Sequence, residues 1–140
     1  MLEQSMLLKD HLLKLYSQNA FVTLLKMEIL TLDTRLAKLS MPVLADMHTN
    51  LYQTAHGGAL ASLADTAMGM ACATTGKKVV TLDMNLNYIR AAECPAALTA
   101  VGTVIHDGSR TMVAEADIVD SDGNLIVKAR GTFFVTGTFL

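Results

Sequence analysis

Disulfide stapling, nucleic-acid binding and secretion each need residues that this chain hardly supplies. Its two cysteines, Cys72 and Cys94, form neither a C-x-x-C pair nor the framework of a stapled secreted fold. No run of Lys or Arg occurs and the net charge is −2, so the basic footprint of a nucleic-acid partner is missing. The opening MLEQSMLLKDHLL carries acids and lacks the apolar run and cleavage site of a signal peptide. A reduced, cytoplasmic protein is the expectation. Catalytic signatures are scarce too. No Gly-Lys-Ser/Thr follows a glycine-rich turn, no G-x-G-x-x-G follows a strand, and no G-x-S-x-G elbow occurs. The histidines His11, His48, His56 and His106 include no H-x-x-x-H pair. Asp46, His48 and His56 are the one set that folding could gather round an ion, and no metal is expected.

What the chain has in surplus is apolar surface. It is 51% hydrophobic and only 17% charged, more apolar than the usual soluble domain. At 140 residues it should form one domain with a proper core, and the excess suggests surface hidden between subunits.

The stretch Asn50 to Thr75 concentrates that surplus. A His56-Gly57-Gly58 corner opens a run of good helical spacing in which Asp65 is the only charged side chain. Leu60, Leu63, Ala64, Ala67 and Ala71 make one apolar stripe. The other side carries Gly58, Ser62, Asp65, Gly69 and Cys72, so the helix is expected to be enclosed by its own protein. A membrane span would place Asp65 at mid-bilayer, at a cost of about 2.5–3.5 kcal/mol. Inside a fold, Asp65 is either a structural acid satisfied by nearby amides or a working group, because an idle buried carboxylate is expensive.

Taken in order, residues 2–17 read as an amphipathic surface helix, with His11 on its solvated side. Residues 1–20 are thus a helical addition to the domain. Phe21–Leu30 and Arg35–Met41 are strand candidates around a Thr31-Leu32-Asp33-Thr34 turn, the second closed by Pro42. After Gly76, the residues Val80, Leu82, Met84, Leu86 and Tyr88 alternate with polar ones. Leu98–His106 and Arg110–Val119 follow, and Asp122-Gly123 turns the latter back into Leu125–Thr136. Six mostly antiparallel strands wrapped on one long helix, an α+β architecture, is the economical outcome.

The spacing of Asn50, His56, Gly57, Gly58, Leu63, Asp65, Ala67 and Gly69 resembles the hotdog-fold acyl-CoA thioesterases, particularly the phenylacetate-degradation type. That pattern runs N-x-x-G-x-x-H-G-G-x-x-x-x-L-x-D-x-A-x-G. VTLDMNLNYIRAA (80–92) and KARGTFFV (128–135) are similar to the family as well. Gln53 stands where the family has glycine, which is expected to redirect the loop or narrow the acyl pocket. Ala91 replaces a common strand-ending proline.

The resemblance implies thioester hydrolysis with no cofactor, coenzyme A being part of the substrate. It implies that the Gly57 N–H polarises the carbonyl, with Asn50 and His56 beside it. Asp65 would act as base or nucleophile, and Thr81 would hold water against it. Gly58, Arg90, Gly108, Ser109 and Arg110 would receive the coenzyme; Lys77, Lys78, Lys128 and Arg130 are weaker candidates. One distance adds to this. Asp65 follows Gly57 by eight residues, about 12 Å of helix at 1.5 Å per residue, while a base works within roughly 3 Å of its target. A two-fold dimer would let one copy hold the carbonyl and the other supply Asp65. If Thr81 faces that site, Val80, Leu82, Met84 and Leu86 face the other way and favour a dimer of dimers. The competing expectations are a non-catalytic acyl-CoA-binding module, less favoured for a domain with no appended segment, and a dehydratase or hydratase, whose His/Asp or His/Glu arrangement is not found.

Overall fold

The alternating runs pair into one antiparallel sheet because each buries one face on the same helix. The computed structural model describes residues 2–140, in the order α1 (Leu2–Ser17), α2 (Ala20–Leu24), β1 (Glu28–Asp33), β2 (Leu36–Val43), α3 (Gly57–Ala73), β3 (Lys77–Tyr88), β4 (Ala96–Asp107), β5 (Thr111–Val119) and β6 (Leu125–Thr138). The sheet order is β1-β2-β4-β5-β6-β3. This is the expected α+β hotdog arrangement, a six-stranded sheet round one long helix with a short helix before it.

Small residues explain how the sheet wraps α3. Paired across neighbouring strands, Ala37, Gly102, Ala116 and Ala129 form one row, and Ala114 and Gly131 belong to the next. At Gly102 the helix backbone touches the sheet: a Cβ there would overlap the Ala67 carbonyl and lie 3.0 Å from the Met68 nitrogen. Larger side chains close the ends of the core, among them Leu39, Met41, Leu63, Met68, Ile118 and Phe133. Helix α1 lies over one end, with Leu12 buried, Leu8 beside Gly76 and His11 edge-on to Phe139. His11 is therefore half-buried rather than solvated.

Several expected boundaries are corrected. Phe21–Leu30 does not form one strand: Asn19 caps a short helix by accepting the Val22 N–H at 3.1 Å, and β1 begins only at Glu28. The β1–β2 turn falls at Thr34-Arg35, two residues later than expected, with Arg35 at φ 64°. Its backbone N–H donates to the Thr74 hydroxyl at the end of α3, which holds that conformation in place. Pro42 does not end β2, which continues to Val43 opposite Ala96. Strand β1 stops pairing beyond Ser40, so the missing proline N–H falls where β2 has become an edge.

The facing of β3 also differs. A bulge between Thr81 and Asp83 inserts one residue and reverses the alternation. Thr81 turns towards α3, as supposed, and Val80 and Leu82 stay exposed. Met84 and Leu86, however, pack against the core instead of joining an outer apolar strip. Finally, α3 is enclosed on most sides but not all: Cys72 is fully buried, while Ser62, Asp65 and Gly69 remain half-exposed beside β3.

Gly102→Ala should force α3 off the sheet and cost about 1–3 kcal/mol, the usual range for overpacking a filled core. A fall in the midpoint of urea unfolding without a change of slope is the expected measurement.

Candidate active site

The start of α3 is built by its own cap. His56 takes extended backbone, and its Nδ1 accepts the Gly58 N–H at 2.8 Å. That acceptor role leaves the ring proton of a neutral imidazole on Nε2, facing outward. The Ala59 and Leu60 N–H groups donate to the His56 carbonyl. The Gly57 N–H has no hydrogen-bond acceptor among the described residues. It stands at the positive end of a 17-residue helix, a place suited to an oxygen that gains negative charge.

Tyr88, which the sequence did not single out, completes this corner. Its hydroxyl donates to the Gly57 carbonyl at 2.9 Å, and a Cβ on Gly57 would lie 3.4 Å from its ring. The signal was present in the period of β3, where Tyr88 is the last inward residue, but the bulge hid the facing. An open cleft of about 290 Å3 adjoins the corner, lined by Gly57, Leu60, Tyr88 and Arg90 among others.

The loop leading in is shaped by Asn50. Its Oδ1 accepts the Tyr52 and Thr54 N–H groups at 2.9 and 3.1 Å, and its amide donates to the Thr54 hydroxyl at 2.7 Å. One amide N–H remains for another partner. Gln53 has φ 62°, the left-handed backbone that glycine adopts freely. The loop therefore follows a glycine-like conformation in spite of the substitution. Buried His48 fastens the same loop: its Nδ1 accepts the Leu44 N–H and its Nε2 donates to the Leu25 carbonyl at 2.7 Å. Both ring nitrogens are thereby engaged, so His48 is no metal ligand, and no cluster of three His, Cys, Asp or Glu suited to a metal occurs among the described residues.

Two turns along α3, Asp65 accepts the Thr81 hydroxyl at 2.7 Å. Both line an open cleft of about 400 Å3 together with Tyr16, Phe21, Gly69 and Phe133. Burial first, then the nearby Cys72 and Asp65, pushes the Tyr16 phenol up to about 12, so it stays protonated at any working pH. Burial likewise drives the Cys72 thiol up to about 12, with Asp107 adding to the shift, and an inert thiol follows.

The coenzyme candidates divide the same way. Arg90 lies at the Gly57 end of β3, whereas Gly108, Ser109 and Arg110 form the β4–β5 turn beside the far end. There Lys77 Nζ donates to Asp107 at 2.6 Å and to the Gly108 carbonyl at 2.9 Å, and Arg35 also pairs with Asp107. Lys128 and Arg130 pair with Asp117 and Glu115. Arg90 and Arg110 have no ion-pair partner among the described residues. Within one chain, then, Gly57, His56, Tyr88 and Arg90 form one group, and Asp65, Thr81 and the Gly108–Arg110 turn lie along the other half of β3.

Comparison with known proteins gives one consistent result. The sequence model of the thioesterase superfamily matches residues 52–127. The Escherichia coli acyl-coenzyme A thioesterase PaaI is 33% identical over 117 residues, spanning 84% of this chain and 83% of that protein. The solved structure of the Escherichia coli PaaI protein superposes with a TM-score of 0.86 at 31% identity, covering 91% of this chain and 92% of the other. A hypothetical thioesterase from Streptococcus pneumoniae, solved with coenzyme A, gives a TM-score of 0.77 at 32% identity, covering 81% and 91%.

The Asp107 cluster makes a pH signature. Hydrogen bonding from Lys77 leads in holding its carboxyl below the ordinary 3.8. A carboxyl lowered in the folded state stabilises the protein fully above the unfolded value, and that contribution disappears as pH falls through the folded one. Asp107→Asn should therefore melt below the wild type at neutral pH, and the two melting curves should converge in acid, as thermal scans across pH would show.

Proposed function

The chain belongs to the thioesterase superfamily and is a thioester hydrolase, and on that premise we propose that it cleaves acyl-CoA to a free acid and coenzyme A at sites shared by two copies of the chain. The observation that carries this is the division of the chemistry: a free Gly57 N–H at the tip of α3, and Asp65 hydrogen-bonded to Thr81 two turns below. About 12 Å of helix separates them, so neither can serve an ester held by the other in the same chain.

Strand β3 offers the means of joining copies. It is one of the sheet's two edge strands, 12 residues long against six in β1, and is exposed along most of its length. A long unpaired edge with Val80 and Leu82 more than half exposed is a liability that a second strand removes. Antiparallel pairing across a two-fold axis sets the Lys77 end of one β3 beside the Tyr88 end of the other. Asp65, Thr81 and the Gly108–Arg110 turn of one copy would then meet Gly57, His56, Tyr88 and Arg90 of its partner. A dimer of dimers rests on less, because only Val80 and Leu82 of the supposed strip remain outside.

In the reaction so framed, the thioester oxygen accepts the Gly57 N–H, with His56 Nε2 and the spare Asn50 amide beside it. We assign Asp65 the general-base role: Oδ1 accepts the Thr81 hydroxyl and Oδ2 takes a proton from water. The water oxygen attacks the carbonyl carbon, the C–S bond breaks, and the proton passes to the departing thiolate. Arg90 and Arg110, in no ion pair among the described residues, would take the coenzyme phosphates, although Asp120 lies near enough to Arg90 to feel its charge. No helix among the described residues is long and apolar enough to cross a membrane, and both cysteines are free, which suits a reducing cytoplasm. A non-catalytic binding module would bind acyl-CoA without releasing thiol.

Asp65→Asn should lower kcat by about 10²–10⁴ with little effect on melting. Gly57→Pro removes the oxyanion donor at a helix position that proline tolerates, and should cost about 10²–10³. Refolded together as an equal mixture, the two inactive variants should recover roughly a quarter of the wild-type rate, because half the dimers are mixed and each has one intact site. A mixture as inactive as its parts would place both groups in one chain and end the proposal.

A further inference from the structure

Helix α3 contains an interior glycine that its packing does not require. A Cβ on Gly69 would meet only the Phe133 ring, at an ordinary 4.0 Å. Gly102, in contrast, is forced by the helix backbone that lies on it. Glycine is a poor helix former, so an interior glycine without a packing reason calls for another one. Gly69 stands one turn beyond Asp65 on the same face, and that face is a wall of the 400 Å3 cleft holding Asp65 and Thr81.

We propose that the missing side chain at Gly69 makes room for the acyl group, and that Gly69, Tyr16, Phe21 and Phe133 together set which acyl groups are accepted. The inference rests on Asp65 marking the reacting carbonyl, as in the hydrolase reading above. One helical turn is about 6 Å, so an acetyl group held at Asp65 does not reach Gly69, whereas a longer apolar chain lies over it. The rest of the lining supports an apolar occupant, with Phe21, Val79, Phe133 and Phe139 in it. Tyr16, Phe21 and Phe133 also fall outside residues 52–127, the part matched by the superfamily model. Gly69 itself lies inside that part, so one wall of the proposed acyl site falls within the superfamily span and the aromatic ones are added from outside it.

The test compares acetyl-CoA with octanoyl-CoA on the full chain. Gly69→Ala should raise the melting temperature by roughly 2–5 °C, as a helix-interior alanine does. The same variant should lower the octanoyl-to-acetyl ratio of kcat/KM by about tenfold or more, the scale of one methyl group in a filled pocket. Phe21→Ala, which widens the cleft, should move the ratio the other way. An unchanged ratio in Gly69→Ala, or loss of the oligomer in place of a change in ratio, overturns the proposal. If the wild type releases no thiol from either substrate, the hydrolase reading fails separately, and the ratio of binding affinities in the same variants decides: about a tenfold fall supports the wall, and no change overturns it.

Discussion

Backbone touching backbone at Gly102 is the contact on which the remaining geometry depends. With no side chain between them, α3 lies against β4 at Ala67 and Met68, two and three residues past the acid. The row Ala37, Gly102, Ala116 and Ala129 extends that seat across the sheet, so the strands can curl round the helix instead of standing off it. Depth in the sheet therefore fixes where Asp65 emerges. It emerges beside β3, the one flank of the helix that its own chain does not cover.

The same embedding explains why the candidate reactive groups are few and spaced as they are. A helix buried on most sides offers chemistry only at its tip, where N–H groups lack partners, and along its uncovered flank. The tip is occupied by the His56 cap, which uses the Gly58 N–H and leaves that of Gly57. The flank is occupied by Asp65, tied to Thr81. Rigid secondary structure holds both, which suits groups that must act without rearranging. The cationic side chains divide as well: Arg35, Lys77, Lys128 and Arg130 pair with carboxylates, whereas Arg90 and Arg110 are in no ion pair among the described residues.

Much of this was legible in the sequence because the period of each apolar run survives folding. The helix from Gly57, the six strands and the Asp122-Gly123 hairpin all follow from spacing and turn chemistry. What was missed has local causes. The Asn19 cap overrode the strand propensity of Phe21, Val22 and Thr23. The β1–β2 turn slipped by two residues because Arg35 accepts a left-handed backbone that a Thr74 hydrogen bond supports. The bulge after Thr81 cannot be read from a strictly alternating run, yet it sends Met84, Leu86 and Tyr88 inward. Tyr88 escaped notice for that reason alone. His48, weighed as a metal ligand, proved to be spent on two backbone partners that only the fold brings near.

That histidine has a mechanical consequence. Its ring joins the Leu25 carbonyl, just after the short helix bearing Phe21 and Val22, to the Leu44 turn, while its own carbonyl receives the His56 N–H at 2.7 Å. The partition at the back of the cleft and the capped tip of the long helix are thus riveted through one imidazole. Pressure on the partition is carried through two short hydrogen bonds to the residue beside Gly57, with the Leu44 N–H bracing the ring between them, so these distant parts of the molecule shift as a unit or hardly at all.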